Sequence, residues 1–218
     1  MRHPHHQVDA PCKAARMTSP PAHARALRLE MASVAWALVE AGASLAAGIA
    51  ASSLALVAFG ADSAIEMLSA LIVIAELRAE ATARSVARAF RLVAILFFAL
   101  AAYVVVAVII TLVQRTQPDR SVLGMVVAAS SLVFMPILAK AKSRAARDMV
   151  AEGSPMLGGL VAADAAETAL CAVLGLSTLL GLVASSWLGW WWADPAASLV
   201  VVIFAVREGL EAWDHEID

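Results

Sequence analysis

Six long apolar stretches, separated by short polar segments, run along this chain. They cover residues 30–50, 53–76, 92–113, 121–139, 157–184 and 190–209. Most are close to the roughly 20 residues that a helix needs to cross the hydrocarbon core of a bilayer. The pattern predicts an all-α membrane protein with six transmembrane helices.

The first two stretches are nearly continuous, and two structures are compatible with them. One is a single long buried helix, and the other is a helical hairpin with a tight turn around residues 51–53. The combined length, with the charged residues Glu40, Asp62 and Glu66 inside it, favours the hairpin.

The two ends of the chain differ from this apolar middle. Residues 1–27 are polar and rich in proline, without hydrophobic periodicity, and predict a disordered cytoplasmic tail. Residues 28–213 form the predicted transmembrane domain, and residues 214–218 form a short C-terminal end. Because six spans use most of the 218 residues, we expect no second folded domain.

Composition and charge distribution agree with a membrane protein. The chain is 61% hydrophobic and 16% charged, whereas about 25% of residues are charged in an ordinary soluble domain. In the six-span topology, every lysine and arginine except Arg115 and Arg120 falls on one side. The positive-inside rule then places both termini in the cytoplasm, which in a bacterium means an integral protein of the cytoplasmic membrane. No basic surface suggests a nucleic-acid partner.

Two acidic clusters interrupt the apolar stretches. Asp62 and Glu66 are four residues apart, on one face of the second predicted helix. Asp164, Glu167 and Cys171 follow at i, i+3 and i+7 on the fifth. Carboxylates at membrane depth are costly, and they are usually retained where an ion, a proton or a substrate passes.

Metal coordination is the chemistry that fits these side chains. Carboxylates and a thiolate from two helices can close a tetrahedral Zn²⁺ site, and the thiolate disfavours Mg²⁺ and Ca²⁺. No Lys, Arg or His is expected beside the clusters, which argues against buried ion pairs. Simpler roles stay open, because Asp164 could serve a helix end and Cys171 could be a small buried apolar residue.

Two further acidic residues have other expected roles. Glu40, in the middle of the first span, is either a proton acceptor or hydrogen-bonding partner of the metal site, or a link to a neighbouring helix. Asp194 follows a cluster of tryptophans and is expected to stabilise a helix start.

Three segments carry a family resemblance. They are Ser53-Leu54-Ala55-Leu56 followed by Asp62 and Glu66, the nine residues 163–171 (ADAAETALC), and Ala193-Asp194-Pro195. These segments resemble signatures of the second, fifth and sixth spans of the cation diffusion facilitator family, and the similarity extends over roughly residues 28–213. The resemblance implies a bundle of that family's type and a homodimer that exports Zn²⁺ or a similar metal in exchange for protons.

The sequence departs from the family pattern in two places. The fifth span of the family typically offers His and Asp four residues apart, and Glu167 and Cys171 stand at those positions here. We also expect no counterpart of the family's C-terminal metal-binding domain after Trp213. The chain is therefore similar to a short, divergent group that includes vesicular zinc-efflux membrane proteins.

These observations predict a secondary active transporter, not an enzyme, with no prosthetic group. Crowded carboxyl groups retain protons without metal, and metal binding displaces them, which couples the two ions. Zn²⁺ is the favoured cargo, with Cd²⁺, Co²⁺, Fe²⁺ and Mn²⁺ as further candidates. The alternatives are a transporter of another substrate that uses the acids as a proton relay, and a non-transporting membrane scaffold. The predicted metal ligands are Asp62, Glu66, Asp164, Glu167 and Cys171, with Glu40 as a proton-accepting partner.

Overall fold

The computed structural model describes residues 21–79 and 82–214, which form six helices and contain no strand. The helices are α1 (Pro21–Ala51), α2 (Leu54–Arg78), α3 (Ala83–Gln114), α4 (Val122–Ala151), α5 (Pro155–Trp187) and α6 (Ala193–Asp214). One helix forms at each of the six apolar stretches, so the prediction of an all-helical chain is confirmed. Most of the predicted tail and the last four residues lie outside the described residues.

The first helix begins earlier than the sequence pattern indicated. Residues 21–27 were assigned to the tail, but they form the first two turns of α1. Ala22 and Ala26 are buried in an apolar cluster with Met149 of α4, and Arg25 forms an ion pair with Asp148. Packing against α4 therefore extends the helix into a segment with no amphipathic pattern of its own.

Five of the six helices in the described part of the chain are long and apolar enough to cross a membrane. The exception is α6, because Asp194 stands at its start and Arg207, Glu208 and Glu211 in its last turns. Only the twelve residues 195–206 between them are uncharged, and they span about 18 Å of helix. A sixth span therefore remains a prediction.

Four helices, α1, α2, α4 and α5, form a ring around a group of buried polar side chains. In this ring α1 packs on α2 and α4, and α5 also packs on α2 and α4. The remaining helices, α3 and α6, pack on each other, and both also contact α2. Glu40, Glu66 and Cys171 lie on three of the ring helices, so the ring determines their separation.

The turn between α1 and α2 is anchored to the start of α6. Ser52 adopts a positive φ of 53° in this turn. The carboxylate of Asp194 accepts hydrogen bonds from Ser53 Oγ at 2.5 Å and from the backbone N–H groups of Leu54 at 2.8 Å and Ala55 at 3.2 Å. Asp194 thus stabilises a helix start, as expected, but the helix is α2, and the contact connects α6 to the α1–α2 hairpin.

Close packing of α1 against α2 depends on glycine. A Cβ atom on Gly48 would lie 2.8 Å from the backbone nitrogen of Val57, and one on Gly60 would lie 2.9 Å from that of Leu45. Such small residues let helix backbones approach in a bilayer, where van der Waals packing drives helix association. The hairpin predicted from the continuous apolar sequence is therefore a tightly packed pair that brings Glu40 close to α2.

Candidate metal centre

Three potential metal ligands meet in the middle of the helix ring. One carboxylate oxygen of Glu40 on α1, one of Glu66 on α2 and the sulfur of Cys171 on α5 all lie within 4.8 Å of one another. Glu40 is fully buried, and Glu66 and Cys171 are each 1% exposed. We call this group the carboxylate–thiol site.

Glu66 has the least satisfied side chain of this site. Both of its carboxylate oxygens are buried, and neither has a hydrogen bond of ordinary geometry in the described part of the chain. Thr168 and Cys171 lie beside this carboxylate, but the Thr168 hydroxyl donates to the backbone oxygen of Asp164 at 2.9 Å and the Cys171 thiol contacts Glu40. Leaving a buried polar atom without a partner costs about 1–3 kcal/mol, and more for a charged group. A bound proton compensates the charge but adds a hydroxyl that needs an acceptor, whereas a metal cation engages the oxygens directly.

Glu40 and Cys171 are joined by a direct contact. Cys171 Sγ lies 3.6 Å from Glu40 Oε2, a thiol-to-carboxylate hydrogen bond. The hydroxyl of Ser63 lies 3.1 Å from the same oxygen and 3.0 Å from the backbone carbonyl oxygen of Phe59, so these two acceptors share its single hydrogen. The other oxygen of Glu40 is buried and, among the described residues, has only looser contacts, with Ser131 and Trp36 near the carboxylate. Glu40 is therefore held beside Cys171 by the thiol and, in part, by Ser63.

A buried lysine lies beside a second acidic group, contrary to the sequence-based expectation that no cation would. Lys142 Nζ on α4 is 2.9 Å from a carboxylate oxygen of Glu30 and forms an ion pair with Asp164. It also donates to Thr168 Oγ1 at 3.2 Å. The side chains of Lys142 and Glu30 are fully buried, and that of Asp164 is 1% exposed. We call these residues the Lys142 cluster.

The structure divides the five predicted ligands into separate environments. Glu66 and Cys171 meet in the carboxylate–thiol site with Glu40, whereas Asp164 belongs to the Lys142 cluster. Asp62 is 7% exposed and lies one turn from Glu66, but it is not in the three-residue group. Glu167 is half-buried and lines a cavity, and its Oε1 atom has no partner in the described part of the chain.

The two polar groups form layers at different depths. Cys171 follows Asp164 by seven residues on α5, and Glu40 follows Glu30 by ten on α1. At 1.5 Å per residue, the backbone positions of the two layers differ by about 10–15 Å along α1 and α5. Their side chains lie much closer, because Thr168, which accepts a hydrogen bond from Lys142, lies beside Glu66, and Lys142 is near enough to interact with the charge of Glu66. The Lys142 cluster is nearer the end of the bundle where α1 and α5 begin and α4 ends, which also carries Arg25 and Arg144. We call this the basic end.

A cavity of about 70 Å³ lies between α2, α3, α5 and α6 near the basic end. Its acidic lining residues are Asp164, Glu167, Glu208 and Glu211, and Ser69 contributes a hydroxyl. Glu167 is one helical turn from Cys171, and Ser69 is three residues from Glu66. The cavity therefore extends from the acidic end of α6 to within about one turn of the carboxylate–thiol site.

The donor set fits a borderline-soft divalent cation. Two carboxylates and a thiolate are accepted ligands of Zn²⁺, with metal–ligand bonds of about 2.0–2.3 Å. Ligand atoms around such an ion lie about 3.4 Å apart, so the present separations of up to 4.8 Å require a contraction of up to about 1.4 Å. Three protein ligands also leave a fourth position for water or for another carboxylate.

No protein-family model matches the chain, and no curated protein matches it significantly. Membership of the cation diffusion facilitator family therefore remains a prediction from the three resembling segments.

Proposed function

We propose that the protein exports a divalent transition metal, with Zn²⁺ favoured, in exchange for protons. The observation that carries this proposal is the buried carboxylate of Glu66, which has no hydrogen bond of ordinary geometry among the described residues and lies beside Glu40 and Cys171. Lys142 acts on this carboxylate only across Thr168 and is already paired with Glu30 and Asp164. A metal shared with Glu40 and Cys171 would instead bind its oxygens directly. The resemblance to the cation diffusion facilitator family supports the same activity, and with it a homodimer.

Metal and protons compete for the same atoms in this proposal. Ligand groups must lose their protons to bind metal, so an ion arriving at Glu40, Glu66 and Cys171 displaces the protons these groups hold. If the site faces each side of the membrane in turn, this competition couples the metal flux to an opposite proton flux. The cavity lined by Glu167 and Glu208 supplies access from the basic end.

Proteoliposomes with an acidic lumen and an enclosed pH dye test this proposal. Zn²⁺ added outside should raise the lumenal pH, because each entering metal ion releases protons outward, while Mg²⁺ should have little effect. Lowering the external pH should weaken the apparent affinity for Zn²⁺. A proton leak that is independent of metal would instead indicate a proton relay for another substrate, and inert vesicles would indicate a scaffold.

Orientation gives a second expected outcome. Because the basic residues cluster at one end, that end should face the cytoplasm. A single cysteine near Arg144 should resist a membrane-impermeant thiol reagent applied to intact cells, and one at Gln117 should react, with Cys12 and Cys171 replaced in both variants. If the cysteine near Arg144 reacts and the one at Gln117 does not, the basic end faces the outside of the cell and the proposed orientation is wrong.

Metal preference depends on the single thiol. Cys171→Asp makes the site all-oxygen, so we expect competition curves to shift from Zn²⁺ and Cd²⁺ towards Mn²⁺ by about tenfold or more. Cys12→Ser is the matched control, because Cys12 precedes the predicted transmembrane domain. Unchanged selectivity in Cys171→Asp would show that the thiol only packs.

A further inference from the structure

A groove between α4 and α5 near the basic end has features that neither the transport proposal nor the sequence analysis uses. Its volume is about 550 Å³. One wall carries the basic side chains of Lys140, Arg144 and Arg147, which are exposed, with the half-buried hydroxyl of Ser143 between them. Among the residues that the structure describes, no carboxylate lines the groove.

The three basic residues form an aligned and uncompensated row. They are spaced i, i+4 and i+7 on α4, so they lie on one face and extend over about 10 Å. In the described part of the chain none of them forms an ion pair with an acidic side chain. Arg25, at the same end of the bundle, is by contrast paired with Asp148.

The opposite wall of the groove is apolar and made of alanine. Ala162, Ala166 and Ala169 repeat at i, i+4 and i+7 on α5, and Ala165 fills the space between them. These small side chains leave a channel that continues from the basic row towards Pro136, deeper in the spanning segment. A soluble anion would use only the charged wall, whereas a phospholipid would use both.

We propose that this groove binds one anionic phospholipid. Its phosphate contacts Lys140, Arg144 and Arg147, and one acyl chain lies along the alanines of α5. Arginine and lysine form strong charge-assisted hydrogen bonds with phosphate oxygens, and basic pockets between membrane helices bind anionic headgroups. The proposal does not depend on metal transport.

Native mass spectrometry of the purified full chain in detergent tests this site. Dioleoyl phosphatidylglycerol should bind at least about tenfold more tightly than dioleoyl phosphatidylcholine, which has the same acyl chains. The triple variant Lys140→Gln/Arg144→Gln/Arg147→Gln should lose at least about tenfold in affinity for phosphatidylglycerol. Arg78→Gln/Arg88→Gln/Arg207→Gln removes three exposed charges outside the groove and should change the affinity by less than about twofold.

Two further measurements separate a lipid site from simple charge attraction. Ala162→Leu/Ala169→Leu keeps every charge but narrows the apolar channel, so it should also weaken phosphatidylglycerol binding. Glycerol 1-phosphate, which has the headgroup charge without acyl chains, should not compete at equal concentration. Equal losses in the two charge variants, full binding by the alanine variant, or effective competition by glycerol 1-phosphate would each overturn the proposal.

Discussion

Glu66→Gln is expected to weaken Zn²⁺ binding at least about 100-fold and to abolish metal-driven proton movement in proteoliposomes. The substitution preserves the size of the side chain but removes its charge and replaces one metal-binding oxygen with an NH₂ group. Because neither oxygen of Glu66 has a hydrogen bond of ordinary geometry in the described structure, the substitution changes only its weaker contacts with Thr168 and Cys171. The variant should therefore fold normally while losing function, and metal binding to the purified protein measures the effect directly.

Glu152→Gln is the matched control, because this substitution removes the same charge from a side chain that is exposed at the C-terminal end of α4. Asp62→Asn should be measured in parallel. Asp62 lies on the same face of α2 as Glu66 but outside the three-residue group. We therefore expect Asp62→Asn to reduce the transport rate more than the affinity for metal. If Glu66→Gln binds and transports Zn²⁺ at nearly wild-type levels, the carboxylate–thiol site is not the ion site.

The helices were predictable from sequence because the bilayer imposes a simple requirement. A span needs about 20 apolar residues whatever it packs against, so hydropathy located the five helices that are long and apolar enough to cross a membrane. The shorter apolar stretch of α6 was also recognisable, but it does not meet this requirement. Boundaries were less certain, since they depend on tertiary contacts. The start of α1 at Pro21 depends on the packing of Ala22 and Ala26 against Met149, a contact 127 positions along the chain from Ala22 and invisible in local composition.

The candidate site was only partly predictable for a related reason. Helical spacing correctly placed Asp62 and Glu66 on one buried face, but it cannot tell which faces of different helices meet. Glu40 contributes to the three-residue group because α1 packs closely on α2, through Gly48 and Gly60. No local pattern predicts the distance between Glu40 and Cys171, which are 131 positions apart in the chain.

The burial of Lys142 could have been predicted from the spacing of apolar residues in α4, although the local charge pattern suggests exposure. It belongs to the basic run 140–147, which resembles a polar loop. However, Met135, Ala139, Lys142, Ala146 and Met149 repeat at alternating intervals of four and three residues, and the structure buries all five. A lysine within such an apolar stripe is expected to face the interior, where it requires acidic partners.

Lys142→Met is expected to lower the thermal unfolding midpoint of the purified protein by about 10 °C. The substitution removes the only cation found beside the buried carboxylates of Glu30 and Asp164 within the described residues. Removing one partner of a buried ion pair costs about 3–5 kcal/mol, because the remaining charge has no compensation. For a chain of this length each kcal/mol corresponds to about 2–4 °C. Lys140→Met, two residues away and exposed, should change the midpoint little.

A triple variant shows whether the loss of stability in Lys142→Met comes from the uncompensated carboxylates or from poorer packing. Lys142→Met/Glu30→Gln/Asp164→Asn replaces the whole ionic group with neutral side chains of similar size. Buried ion pairs replaced in this way often leave stability unchanged or increase it, so the triple variant should recover most of the lost midpoint. A triple variant as unstable as Lys142→Met would attribute the loss to packing, and a fully stable Lys142→Met would exclude a buried ammonium group between α1, α4 and α5. Recovery would show that the Lys142 cluster joins these three helices through charge, next to the carboxylate–thiol site, with Thr168 between Lys142 and Glu66.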